Sequence, residues 1–237
     1  MRTIGLLGGM SCESTAIYYR LINEGVRQRL GGLHSAKILL HSFDFAEVQA
    51  LQNPMGWAQA GDMLARAGSS LEGAGADCLL ICANLMHRVE PQVAAAVTIP
   101  LLHIADVTGA ALKRQNAARP LLLATRPVME EHFYKARLEE RFGVEVLVPD
   151  SGDRAAVHAI VFDELVRGIV SERAKEVYLS IIARAQANGA DSVIFGCTEI
   201  GLLLAQGDLS LPIFDTAVLH ARAAVDFALA NMASLAA

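Results

Sequence analysis

A repeat runs through this chain. Gly75-Ala76-Asp77 leads into an apolar run at 78–82, and Gly189-Ala190-Asp191, 114 positions later, leads into a similar run at 192–196. Ile99-Pro100-Leu101-Leu102 resembles Leu211-Pro212-Ile213-Phe214 at an offset of 112, and Gly5-Leu6-Leu7-Gly8-Gly9 resembles Leu121-Leu122-Leu123-Ala124-Thr125 at 116. Three segments in one order at a nearly constant offset predict two similar halves of about 110 residues each. No Pro/Gly/Ser-rich linker parts them, so the halves are expected to pack face to face, with a ligand cleft between them.

Within each half the hydrophobic pattern is that of an α/β protein. Short apolar runs at 3–7, 37–41, 78–82, 101–104, 120–123, 144–148, 192–195 and 213–214 read as buried parallel strands. Longer helical patterns separate them at 14–29, 57–73, 90–97, 129–142, 154–166, 171–188 and 217–232. Ser11 or Ser14 would cap the first helix. Such alternation gives βαβ units, and ligands of parallel sheets bind at the carboxyl ends of the strands. The expected architecture is two pseudo-symmetric α/β domains, each a parallel sheet flanked by helices. The first takes residues 1–104 plus 212–237, the second 105–211, and the active site lies in the cleft.

Composition narrows the function. The chain has 237 residues, 53% hydrophobic and 19% charged, which suits a packed globular protein and not a disordered one. Net charge is −5 and there is no basic stripe, so nucleic acid is not an expected partner. No apolar run reaches the ~18 residues of a membrane span, and the N-terminus lacks a signal-peptide core. A cytoplasmic protein is expected. The four cysteines, Cys12, Cys78, Cys82 and Cys197, are then expected as free thiols, and their spacing predicts no metal site.

The chemistry concentrates where strands end. Phe195-Gly196-Cys197-Thr198-Glu199-Ile200 follows a buried run. Gly196 allows a tight turn, and a helix starting there would favour a thiolate at Cys197 through its N–H groups and dipole. Thr198 would donate to the same anion. The bland alternative is a structural cysteine in the core. In the first half the repeat pairs Ala83 with Cys197, Asn84 with Thr198 and Leu85 with Glu199. Cys82, one residue earlier, points into packing by strand alternation. Asn84 would hold a substrate carboxylate or simply serve the turn, and His87 either orients a neighbour or is solvated, the reading favoured here. Gly8-Gly9-Met10-Ser11 lacks both nucleotide-loop patterns, but its N–H groups suit a small carboxylate. Thr125 is its repeat partner, with a hydroxyl that could face the cleft. Gln52 and Asn53 sit in a polar loop at the mouth of the site, and Asp44, Asp106 and Asp215 read as caps.

These segments resemble the aspartate/glutamate racemase superfamily over nearly the whole chain. The landmarks are Ile4-Gly5-Leu6-Leu7-Gly8-Gly9-Met10-Ser11, Glu13-Ser14-Thr15, Tyr18-Tyr19-Arg20-Leu21-Ile22-Asn23, Asn84-Leu85-Met86-His87 and, most specific, Gly196-Cys197-Thr198-Glu199-Ile200-Gly201. The likeness is closest to the enterobacterial L-aspartate/glutamate-specific branch. The resemblance implies a racemase that needs no pyridoxal phosphate or other cofactor, acts on a small amino acid or dicarboxylate, and forms a homodimer. It implies Cys197 as a catalytic thiol and Met10, Gln52, Ala83, Asn84, Leu85, Thr198 and Glu199 as substrate-pocket positions. The family places a second cysteine where this chain has Ala83, and a threonine where it has Leu85. Two readings therefore stand beside two-base racemisation: a one-thiol decarboxylase or isomerase, and a dicarboxylate-binding protein with impaired turnover.

Overall fold

The structure, a computed structural model, describes residues 1–230. The chain divides into two compact units. The first comprises Met1–Ile104 and, among the described residues, 220–230; the second is Ala105–Leu219.

The first unit is built on β1 (Ile4–Gly8), β2 (Ile38–Ser42) and β3 (Cys78–Ile81), all parallel, in the order β2-β1-β3. Leu101 adds a parallel bridge to Leu79. The central β1 is buried at every residue, which explains its unbroken apolar run. Helices α1 (Cys12–Leu30), α2 (Phe45–Ala50), α3 (Trp57–Gly73) and α4 (Glu90–Ala95) belong to this unit. Ser11 caps α1, its hydroxyl accepting the Ser14 N–H at 3.2 Å. The apolar face of α3 carries Leu64, Ala67 and Leu71 into one cluster with Leu79, Met86 and Val93, so that face is core.

The second unit holds β4 (Pro120–Leu123), β5 (Ser192–Phe195) and β6 (Ile213–Asp215), again parallel, in the order β4-β5-β6. Leu147 bridges to Leu121. Its helices are α5 (Ile104–Arg114), α6 (Arg126–Glu130), α7 (His132–Phe142), α8 (Ser151–Asp163), α9 (Glu172–Ala187) and α10 (Ile200–Leu203). The last helix, α11 (Thr216–Leu229), begins here and enters the first unit at His220.

The repeat survives at the level of single hydrogen bonds. β5 is β3 displaced by 114 positions at both ends. With their bridges counted, both sheets share one order: β2-β1-β3-Leu101 and Leu147-β4-β5-β6. The Gly-Ala-Asp motif has the same task in both. Gly75 (φ 98°) and Gly189 (φ 92°) take the left-handed conformation that ends the preceding helix. The aspartate then grips the start of the neighbouring strand. Asp77 accepts Thr3 N–H at 2.6 Å, and Asp191 accepts Arg119 N–H at 2.8 Å. Past the strands, Cys82 N–H donates to Leu7 at 2.9 Å and Gly196 N–H to Leu123 at 2.8 Å. Ala83 and Cys197 therefore stand at equivalent strand ends.

Several expectations need correction. Residues 101–104 and 144–148 each pair at a single bridge rather than as strands, and Ile104 already opens α5. The helix expected over 129–142 is broken at Glu131, which is extended (φ −83°, ψ 152°). Helices α2 and α5 were not expected. β6 pairs with β5, so residues 213–215 sit in the second unit's sheet and the chain returns to the first unit at His220 rather than at 212. The end of the helix expected over 217–232 lies outside the described residues.

Candidate active site

In the second unit the site grows from the end of β5. A Cβ on Gly196 would meet Leu122 Cδ1 at 2.7 Å and the Ala124 Cβ at 2.9 Å, so the turn needs glycine for space. Cys197, Thr198 and Glu199 follow, all buried. One oxygen of Glu199, Oε2, accepts both the Cys197 Sγ–H at 2.9 Å and the Thr198 hydroxyl at 2.8 Å. Thr198 thus donates to Glu199 here.

The expected helix dipole is missing. The following helix, α10, is four residues long, and the Ile200 N–H turns back to the Cys197 carbonyl at 3.2 Å. The thiol is shifted the opposite way from a dipole-stabilised thiolate. Burial pushes its pKa well above the ordinary thiol value, and the charge of Glu199 and its hydrogen bond push it further, with Asp215 adding to them. At rest the thiol keeps its proton.

Beside this pair lies one group that sequence reasoning missed. Tyr178 on α9 is fully buried, and its hydroxyl has no hydrogen-bond partner among the described residues. Burial, then the charges of Cys197 and Glu199, raise its pKa. Its only sequence signal was a tyrosine on an otherwise apolar helix face. Thr125, at the end of β4, likewise keeps a buried hydroxyl without a partner. Asp215 accepts the N–H groups of Ala217 and Val218 at 2.9 and 3.1 Å, and Asp44 caps α2. Asp106 is no cap; it takes Arg137 in a two-pronged pair at 2.6 and 2.8 Å and Arg141 at 2.7 Å.

In the first unit the equivalent strand end is quieter. Ala83 and Leu85 are half-buried, and Asn84 is buried. Met10 and Met86 share the core cluster against which Ala83 packs, and Gln52 reaches the Met86 sulfur with its amide at 3.6 Å. The first unit thus brings Met10, Gln52 and the 83–86 turn into one neighbourhood. Cys82 is fully buried, and burial alone drives its thiol far above the usual range. Cys78 is pushed up to about 12, first by burial. Neither thiol is poised for proton transfer. Cys12 is exposed, and all four cysteines are free. His87 is not solvated as the sequence suggested; it is buried at 2% exposure. No group of His, Cys, Asp and Glu among the described residues is arranged to hold a metal ion, and no described helix is long and apolar enough to cross a membrane.

A cavity of about 370 Å³ in the second unit holds none of these residues. It lies beside Arg119, Asp153, Arg184 and Asn188. Both guanidinium groups are already engaged, Arg119 by Glu145 and Arg184 by Asp153.

Two parallel α/β units of matching topology, the second with a buried cysteine and glutamate at the end of its middle strand, define the two-domain racemase fold. The profile of the Asp/Glu/hydantoin racemase family matches residues 7–224, and the chain belongs to that family. Among solved structures it is similar to a protein of Yersinia pestis of Asp/Glu racemase type, at 48% identity and a TM-score of 0.91, covering 97% of this chain and 100% of that one. An aspartate racemase homologue of Pyrococcus horikoshii is similar at 33% identity and a TM-score of 0.85, covering 96% and 99%. A broad-specificity amino-acid racemase of Bacillus subtilis is 25% identical over 162 residues, 68% of each chain.

Proposed function

We propose that this protein moves a proton at the Cα of aspartate, glutamate or a related acidic substrate, as a racemase without pyridoxal phosphate, with Cys197 as the proton carrier of the second unit. The observation that carries this reading is the buried bond from the Cys197 thiol to Glu199 at 2.9 Å. Glu199 takes the thiol proton, leaving a thiolate in a dry setting where it is a strong base. The thiolate takes the proton from Cα, and a carbanion-like state forms. Return of the proton from the Cys197 thiol to the same face completes exchange; for inversion a water on the opposite face gives the proton, and the hydroxide left behind takes the proton held by Glu199. Negative charge spreading onto the substrate carboxylate needs N–H and hydroxyl donors, and the reading gives that task to Asn84 and to Thr198, whose hydroxyl turns from Glu199 once Glu199 has taken the thiol proton. Met10, Gln52, Ala83, Leu85 and Glu199 complete the proposed pocket. A cytoplasmic homodimer is the setting proposed for it, and a small amino acid or dicarboxylate is its partner.

Ala83 and Leu85 favour a second reading. Two-base racemisation needs a proton carrier on each face of Cα, and alanine has no exchangeable proton. A one-thiol decarboxylase or isomerase needs only Cys197, and a dicarboxylate-binding protein needs no carrier at all. Incubating L- and D-aspartate and L- and D-glutamate with the protein, followed by chiral chromatography, separates these readings. Inversion supports the racemase. Its absence, with folded protein, sinks the racemase; stabilisation by the same dicarboxylates without turnover would then mark a binding protein.

A further inference from the structure

The turn after β3 is held in place by a buried ring. His87 lies in the 3-10 turn Leu85–Val89, with its Nδ1 at 2.8 Å from the carbonyl oxygen of Ala83. Its Nε2 accepts the backbone N–H of Ile104 at 3.2 Å. An amide N–H only donates, so Nε2 carries no proton. A carbonyl only accepts, so Nδ1 carries it. These two contacts select one neutral tautomer. A neighbouring ring shows the opposite choice. His220 lies 2.7 Å through Nε2 from the Leu102 carbonyl and 2.8 Å through Nδ1 from the Tyr18 hydroxyl, so its proton sits on Nε2. The His87 ring centre is 4.5 Å from that of His103 and 5.8 Å from that of His220.

We infer that His87 is a positioning residue: it clamps the Ala83 carbonyl, fixes the backbone that presents Asn84, and takes no part in proton transfer. Any other protonation state sets a ring N–H against the Ile104 N–H or strips the Ala83 carbonyl of its donor, inside the fold. The second unit shows why the first needs the ring. There the equivalent carbonyl, of Cys197, accepts a backbone N–H from Ile200 at 3.2 Å. The position equivalent to His87, at the 114-residue offset, is Gly201, where a Cβ would come within 2.7 Å of an Asp215 oxygen. One turn is closed by its own backbone, the other by a side chain. The inference rests on the reading that Ala83 and Asn84 face substrate, but its first test does not.

Long-range ¹H–¹⁵N spectra of the full chain labelled at histidine read the tautomer directly. The expected result at neutral pH is a protonated Nδ1 and an unprotonated Nε2 for His87. An Nε2–H form, or two averaged nitrogens, would overturn the clamp. Two variants test the positioning. His87→Leu keeps bulk and loses both bonds; His87→Asn returns an amide near the place of Nδ1. The expected outcome for His87→Leu is a displaced Asn84 amide resonance and binding of L-aspartate or L-glutamate weakened about tenfold, the worth of roughly one hydrogen bond. Alkylation of Cys197 stays at the wild-type rate, and His87→Asn recovers most of the affinity. An unmoved Asn84 resonance in His87→Leu refutes the role, as does a loss confined to kcat with an altered pH profile, which would make His87 a proton carrier. If His87→Leu fails to fold, the wild-type tautomer and His87→Asn decide. If the wild type binds neither dicarboxylate, the substrate reading fails while the tautomer and the Asn84 resonance still judge the clamp.

Discussion

The two units end their equivalent strands differently. After β5 come Cys197, Thr198 and Glu199, a buried thiol and a hydroxyl sharing one carboxylate oxygen. After β3, at the same places in the repeat, come Ala83, Asn84 and Leu85, which hold no group that gains or loses a proton near neutral pH. The backbone is the same to the level of the hydrogen bond that follows each strand. Fold and chemistry have therefore separated within one molecule. The duplicated scaffold supplies two strand ends, and in the proposed reading the side chains equip one of them for proton transfer and the other for binding. Two titratable groups beside that turn are withdrawn, Cys82 by full burial and His87 by a hydrogen bond at each ring nitrogen.

This contrast can be broken or sharpened by experiment. After loss of the thiol itself, the largest effect is expected from Glu199→Gln, which keeps the shape of the partner but removes its charge. Turnover should fall by about 10²–10³-fold, within the usual range for a lost acid–base group. Thiol alkylation should move the other way, because Glu199 helps hold the thiol pKa up. Iodoacetamide at pH 8 should label Cys197 faster in the variant; equal or slower labelling would remove Glu199 from the pair.

The first unit carries its own pH signature. Burial lowers the His220 pKa from 6.5 to about 4. Below pH 6.5 the unfolded chain takes up a proton that the folded ring refuses until about pH 4. Stability should thus fall as pH drops through that window, by about 3 kcal/mol in total for this group. Urea midpoints at pH 7 and pH 4.5 measure it, and His220→Gln should flatten the difference. An unchanged slope in the variant would place the acid sensitivity elsewhere.

A smaller effect tests the symmetry itself. Ala83→Cys restores a thiol at the quiet strand end, and racemisation followed by chiral chromatography should rise by about tenfold, or ~1.4 kcal/mol in barrier. No rise would mean that position 83 does not face substrate. Of similar size, but on stability alone, are the effects at the paired glycines. Gly75→Ala should cost about 1–2 kcal/mol for a left-handed alanine in open space. Gly189→Ala should cost more, because its Cβ would meet the Arg119 guanidinium, which also holds Glu145. Equal melting temperatures for the two variants would contradict that difference.

Much of this was legible before any coordinates. The Gly-Ala-Asp repeat announced two units because its parts do local work: a left-handed turn, then a carboxylate on the next strand's N–H groups. Cys197 stood out because a glycine turn, and then the thiol with two further polar residues, follow a fully buried strand. Other features were hidden because tertiary packing decides them. Helix α5 contains Gly109, a weak helix former, yet a Cβ there would lie 2.2 Å from the Phe142 ring; the glycine serves a close approach that sequence does not display. The direction of the Cys197 shift was misread because a helix dipole was assumed, whereas the helix is one turn long and the nearest charge is an anion two residues away. The burial of His87 was misread because its partners, Ala83 and Ile104, are a carbonyl and an N–H, which carry no residue signature.

Solvent deuterium entering the Cα of aspartate and glutamate, followed by NMR in wild type and in Cys197→Ala, tests the central claim most directly. Racemisation and any one-base exchange both put deuterium there. The account predicts incorporation with the wild type and a fall of at least about 10³-fold in Cys197→Ala, with the variant still folded. Incorporation at the wild-type rate in the variant would contradict it, and would move the proton chemistry away from the end of β5.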